Sequence, residues 1–203
     1  MEGFEISRKD PVQKRAQGTV SAILEAFTHI FSRQGPKEAN TNRVALKAGV
    51  SIGSLYQYFP NKQAILVAVI RKHSKERLER LTQIKDSIQG KTLEQVVAEM
   101  VDVVIDLRAR DRGFETVLIE NLSHYRVLET IREQQSGFVG LLSECLELLD
   151  HPGTAESRKE AAGFLYHTAF SLTVWMSYFE DGTMTLDQLK SNVRRLFVGY
   201  LRI

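Results

Sequence analysis

The sequence predicts an all-α protein, and three observations carry that expectation. Only four prolines (Pro11, Pro36, Pro60, Pro152) interrupt the 203 residues. The apolar residues between these breakers recur every three or four positions, the period of a helix face. No stretch of strand length alternates apolar with polar residues. About nine helices follow from this pattern.

In chain order, Val20, Ile23, Leu24, Phe27, Ile30 and Phe31 form one apolar stripe, which Gly35 and Pro36 close. A short helix is expected over about 41–48, with Asn40 or Thr41 at its cap and Val44, Ala45 and Ala48 facing inward. Gly49 stands where a left-handed backbone turns the chain without a Cβ clash. The next helix starts at Ser51, whose hydroxyl accepts from a free N–H, and Pro60 ends it; Val50 is placed to staple onto Leu55. Leu55 and Phe59, four apart, make its inner face. Ile52, Gly53, Ser54, Tyr56 and Gln57 are left outside, with Tyr58 at the edge.

Residues 61 to about 88 continue the pattern through Ile65, Leu66, Val69, Ile70, Leu78, Leu81 and Ile84, with Asn61 as N-cap and Gly90 near the end. Thr92 and Gln95 make a capping box ahead of Leu93, Val96, Val97, Met100, Val104 and Leu107. A weaker helix is expected at 114–121. A long one at 126–150 carries Val127, Leu128, Ile131, Phe138, Leu141, Leu142, Cys145 and Leu149, and stops at His151-Pro152-Gly153. Then come 155–179 and, after Asp181-Gly182, a final helix to about 202, opened by the capping box Thr185 and Gln188.

Composition excludes several functions. With 43% apolar residues the chain can bury a core. Its one cysteine, Cys145, can form neither an intrachain disulfide nor a thiolate metal site, and no apolar run reaches membrane-spanning length, so a cytoplasmic chain with no membrane partner is expected. His29, His73, His124, His151 and His167 show no metal-ligand spacing, so neither metal nor cofactor is expected. The net charge of +2 hides an asymmetry: residues 1–80 hold 14 Lys and Arg against 7 Asp and Glu, and residues 81–203 hold 13 against 18. Such a split points the first part toward a polyanion, the alternative being a solvated charged face.

Two helices joined by a tight glycine turn, the second presenting small, polar and aromatic side chains, make a helix-turn-helix, and its chemistry suits double-stranded DNA. Gly53 and Ser54 let the backbone approach a duplex. Ser54 and Gln57 can bond base edges or phosphates, Tyr56 and Tyr58 can anchor phosphate oxygens, and Ile52 can rest on a thymine methyl. Lys62 adds a cation just past Pro60; Arg43, Lys47 and the run Arg8, Lys9, Lys14, Arg15 extend the positive surface. Gly49-Val50-Ser51-Ile52-Gly53 also matches the nucleophile elbow of serine hydrolases, but that motif needs a strand before the serine, and TNRVALKA reads as helix.

The run AGVSIGSLYQYFPNKQAIL resembles the recognition end of the TetR family of bacterial transcriptional regulators. The matching positions are Gly49, Val50, Ser51, Gly53, Ser54, Leu55, Tyr56, Tyr58, Phe59, Lys62 and Leu66, with Thr41, Val44, Ala45 and the first stripe upstream. The resemblance is strongest over about 20–70; beyond it, chain length and helical pattern agree. One departure is Asn42-Arg43, because family members place a basic residue one position earlier. Carried over residue by residue, the resemblance and the exposed face together give DNA contacts at Thr41, Asn42, Arg43, Ser51, Ile52, Gly53, Ser54, Tyr56, Gln57, Tyr58 and Lys62.

The family further implies a DNA-binding domain over 1–62, linked through helix 61–88 to an effector-binding and dimerisation domain over 63–203. One short reading helix spans too few base pairs to be selective, so a homodimer on a palindromic operator is expected. Two faces are candidates for pairing as a four-helix bundle. Phe164, Leu165, Thr168, Leu172, Trp175, Met176 and Phe179 make one; Leu189, Val193, Leu196, Phe197, Tyr200 and Leu201 make the other. Either set could instead be intrachain core. The middle helices would enclose a mostly apolar pocket for a small-molecule effector, with candidates Met100, Val104, Phe114, Leu118, His124, Tyr125, Phe138, Tyr166 and Trp175. An effector-insensitive DNA-binding or protein-interaction module is the competing expectation.

Overall fold

A computed structural model describes residues 14–121, 127–178 and 184–202, and among them the chain forms nine helices and no strand. They are α1 (Lys14–Gln34), α2 (Thr41–Ala48), α3 (Ile52–Tyr58), α4 (Lys62–Asp86), α5 (Leu93–Arg110), α6 (Arg112–Glu120), α7 (Leu128–Leu148), α8 (Ala155–Tyr178) and α9 (Leu186–Leu201). The caps read from sequence are in place. Asn61 Oδ1 accepts from the Ala64 N–H at 2.9 Å. Thr92 with Gln95, and Thr185 with Gln188, close full capping boxes.

The chain divides into two compact units, residues 1–73 with 113–130 and residues 74–112 with 131–203. The first therefore reaches beyond the expected boundary at residue 62. The reason is burial: Ile65, Leu66 and Val69 on the first turns of α4 are at most 1% exposed and complete its interior. In that interior, Phe27 and Phe31 stack at 5.4 Å, Phe114 of α6 sits 5.3 Å from Phe31, and His73 meets Phe114 edge-on at 5.1 Å. Such ring pairs add roughly 0.5–1.5 kcal/mol each beyond the area they bury.

In the second unit α9 lies antiparallel on α5. Glu94 pairs with Arg202, Asp102 with Arg194 and Asp106 with Lys190, so each step up α5 is matched by an equal step down α9. Beneath these pairs Leu189, Val193, Phe197 and Leu201, each four residues on, are buried against Val97, Val101 and Ile105. That inward stripe decides part of the question left open by sequence. Leu165 of α8 joins the same core, whereas Phe164, Trp175, Leu196 and Tyr200 stay outside at 38–46% exposure. Met176 and Phe179 fall outside the described side chains. Cys145 lies in a second cluster with Leu81, Met100, Phe138 and Leu141, and burial pushes its thiol up to about 11, so it is an inert core residue.

Candidate nucleic-acid interface and ligand cavity

The turn between α2 and α3 is built by backbone bonds that only a residue free to take positive φ makes without strain. Gly49 has φ 68° and ψ 29°; its N–H bonds to Leu46 O at 3.2 Å, and the Val50 N–H bonds to Ala45 O at 3.0 Å. This double closure satisfies the last carbonyls of α2 and reverses the chain. At the other end of α2, Asn40 is the cap, its Oδ1 accepting from the Arg43 N–H at 3.0 Å.

Ser51, in extended backbone, then starts α3: its Oγ accepts from the Ser54 N–H at 3.0 Å. The elbow geometry of a hydrolase is thereby absent from this turn, since residues 41–48 are helix and the Ser51 hydroxyl is engaged as a cap. Leu55 and Phe59 are 0% and 2% exposed and anchor the inner side. Ser51, Ile52, Gly53, Tyr56 and Gln57 are exposed, with Ser54 and Tyr58 half-buried. The Tyr56 hydroxyl and Thr41 Oγ1 stand 3.1 Å apart in one hydrogen bond, which ties the outer faces of α2 and α3 together.

Gly53 is informative because nothing among the described residues demands a glycine there: of these, a Cβ would meet only Ser51 Oγ, at an ordinary 3.8 Å. Gly53→Ala is therefore expected to leave thermal stability equal or higher, since alanine suits a helix better by up to about 1 kcal/mol. Its effect belongs to whatever approaches the helix from outside, and DNA titrations read that effect separately.

The cations are held by a loop that the sequence reading passed over. Arg43 pairs with Glu38 and donates to Gln34 Oε1 at 2.7 Å. Lys62 Nζ donates to the Pro36 carbonyl at 3.4 Å. Residues 34–38 thus set where both basic groups sit. Asn42 and Lys47 are exposed on α2. Arg8 and Lys9 lie outside the described residues, as do the side chains of Lys14 and Arg15.

The second unit contains a cavity of about 90 Å³ with walls from α4, α5, α7, α8 and α9. Of the expected pocket residues, Met100, Val104, Phe138 and Tyr166 line it. Phe114 and Leu118 do not: 2% and 5% exposed, they fill the interior of the first unit, where Phe114 packs on Phe31. Trp175 is 38% exposed and is not part of the cavity wall. His124 and Tyr125 lie outside the described residues. Sequence reasoning missed Arg77, Arg108 and Phe170, all in the wall. The Arg108 guanidinium carbon lies 4.8 Å from the Phe170 ring centre, a cation–π contact.

Two family models match the chain: the tetR family of bacterial regulatory proteins over residues 23–69, and the tetracyclin repressor-like C-terminal domain over residues 92–201. A fatty acid metabolism regulator protein of Bacillus subtilis is 25% identical over 61% of this chain, and the regulator UidR of Escherichia coli is 29% identical over 55%. The chain spans less than two thirds of the length of these relatives, 64% and 54%. The crystal structure of the transcriptional regulator FadR from Bacillus subtilis in complex with stearoyl-CoA shares the fold, with a TM-score of 0.70, 21% identity, and coverage of 88% of this chain and 97% of that one.

Proposed function

The chain belongs to the TetR family of bacterial transcriptional regulators, and from that premise we propose that it is a cytoplasmic repressor, bound to a palindromic operator as a homodimer and released by a small molecule. The observation that carries the DNA part is the outward face of α3. A two-turn helix, fixed by the Gly49 turn and the Ser51 cap, presents Ile52, Gly53, Tyr56 and Gln57 to solvent, the geometry of a helix that enters a major groove. Thr41, Asn42, Arg43, Ser51, Ser54, Tyr58 and Lys62 are assigned to its flanks.

The dimer part is supported by the stripe left unburied on α8 and α9. Phe164 and Tyr200 stack at 4.4 Å while remaining 44% and 38% exposed, and Leu196 beside them is 46% exposed. Clustered exposed apolar groups of this kind mark association surfaces. Release by an effector follows from the cavity. A ligand that binds one conformer of the second unit shifts the population away from the DNA-competent spacing, and α4, which carries both Lys62 and the cavity residue Arg77, is the connecting element.

Selection of binding sites from random duplexes tests this reading. An enriched inverted repeat is expected; a pool with no enriched sequence would instead favour a nonspecific helical module. On the selected site, Tyr56→Ala is expected to cost about 1–3 kcal/mol of specific affinity, measured by gel shift. Glu38→Gln should act the other way. The Glu38–Arg43 pair is half-exposed, so it contributes little to the fold, yet its carboxylate offsets a cation that faces phosphate. Removing that charge is expected to tighten binding several-fold and steepen the salt slope by up to about one. Unchanged affinity and slope would remove Arg43 from the interface.

A further inference from the structure

The wall of the cavity in the second unit is almost wholly carbon. Apart from Tyr166, none of its lining side chains carries a neutral polar group or a carboxylate; the rest are aliphatic or aromatic, with two arginines. Arg108 lies over the Phe170 ring at 4.8 Å, and both Arg77 and Arg108 make further interactions inside the chain, so they lend the cavity hydrocarbon stem and little charge. A charged guest would shed its hydration here with too few partners to replace it, and an amide fares little better. A neutral apolar guest loses no hydrogen bond: an apolar cavity stays dry, and filling it adds dispersion contacts with no bound water to displace.

Rings and size narrow the class. Phe138 stacks on Tyr166 at 5.7 Å and Tyr166 on Phe170 at 6.4 Å, with planes 25° and 20° apart, so three rings of the wall stand in one nearly parallel row. An aromatic guest extends such a row by offset or edge-on contact, which a saturated ring of equal volume does not. A cavity of about 90 Å³ holds roughly six to nine water-sized volumes at about 10–15 Å³ each. A benzene ring with a short alkyl group has about that many heavy atoms. We propose that the cavity binds a neutral monocyclic aromatic hydrocarbon, its ring against Phe138 and Tyr166 and its alkyl group among Met100, Val104 and Leu142. This rests on the reading of the cavity as the effector site, and it names a guest with no charged head, unlike an acyl thioester.

The test titrates the intact protein in sealed cells with ethylbenzene, ethylcyclohexane, phenylacetate and phenethylammonium by calorimetry, and repeats each addition on the protein bound to its selected DNA site. Ethylbenzene is expected to bind about threefold or more tighter than ethylcyclohexane and at least about tenfold tighter than either ion, and to loosen DNA. It should also shift the Met100 methyl resonance, identified by its loss in Met100→Leu, through the ring current of a guest in contact with that side chain. Val104→Phe and Ala169→Leu add bulk at half-buried wall positions and, where circular dichroism shows them folded, should weaken ethylbenzene at least about tenfold. Equal or tighter binding of ethylcyclohexane or of either ion overturns the ligand class and leaves the effector site standing. Ethylbenzene that shifts Met100 without loosening DNA leaves the ligand class standing and overturns the effector reading. Binding that leaves the Met100 resonance unmoved, or that survives the folded variants, overturns the site, and no binding of ethylbenzene overturns the proposal outright.

Discussion

Leu196→Glu is expected to convert the proposed dimer to monomers and to lower affinity for the selected DNA site by about a hundredfold to ten-thousandfold. The size follows from linkage: when two reading helices are joined, the second engages at a high effective concentration, and separating them forfeits about that factor with no DNA contact altered. The substitution is chosen because Leu196 is 46% exposed, whereas its neighbours Val193 and Phe197 are 3% and 6% exposed and hold α9 on α5. A charge at 196 therefore burdens the proposed pairing surface and spares the interior of the protomer. Light scattering reports the assembly and fluorescence anisotropy the affinity. A variant that keeps the parent's mass, or a monomer that grips the full site as tightly as the parent, would remove α8 and α9 as the pairing surface.

Phe27→Ala has the largest expected effect on stability. Phe27 is 1% exposed and stacks on Phe31 at 5.4 Å, inside the group of rings that ends at Phe114 and His73. Truncating a buried phenylalanine costs about 3–5 kcal/mol, because the contacts are lost and the cavity does not close. That is a large share of the roughly 5–15 kcal/mol that holds a domain folded. Amide exchange should show the loss concentrated in α1, α2 and α3, while α5 and α9 keep their protection. Leu46→Ala is the control: Leu46 lies on the same unit but is 83% exposed, so its removal should change stability by no more than about 0.5 kcal/mol. Equal effects of the two would contradict the assignment of Phe27 to the core.

The reading helix was legible in the sequence because its signals are local. Gly49, Ser51 and Pro60 act on backbone groups within four residues, and Leu55 with Phe59 fixes the inner face by spacing alone. The same holds for the capping boxes at Thr92 and Thr185. The pocket was less legible. Phe114 and Val104 both read as apolar residues on a helix stripe, and nothing local says that one fills the first unit and the other lines a cavity in the second. On α9, Leu196 and Tyr200 lie beside the stripe of Val193 and Phe197 in the same apolar run, and only the antiparallel seat on α5 separates outward from inward.

Arg77 and Arg108 illustrate a signal that was present and passed over. Arg77 stands four residues before Leu81, and Arg108 four after Val104, so both occupy apolar stripes of their helices, where a charged residue is a marked exception. Glu38 gave no such sign, since its pairing with Arg43 depends on how the chain from Gly35 to Asn40 folds back on α2.

The account depends above all on α3 being carried in duplicate at the spacing of one turn of DNA. Leu46→Cys places a spin label on α2, beside α3, where Leu46 is 83% exposed and outside the assigned DNA contacts, and Cys145, buried with its thiol pushed up to about 11, leaves that site the reactive one. Pulsed electron spin measurements on the labelled protein bound to its selected site should give one distance between labels near 34 Å, the separation of successive major-groove faces. No distance between chains, or one far from that value on a site that the protein still recognises, would contradict it.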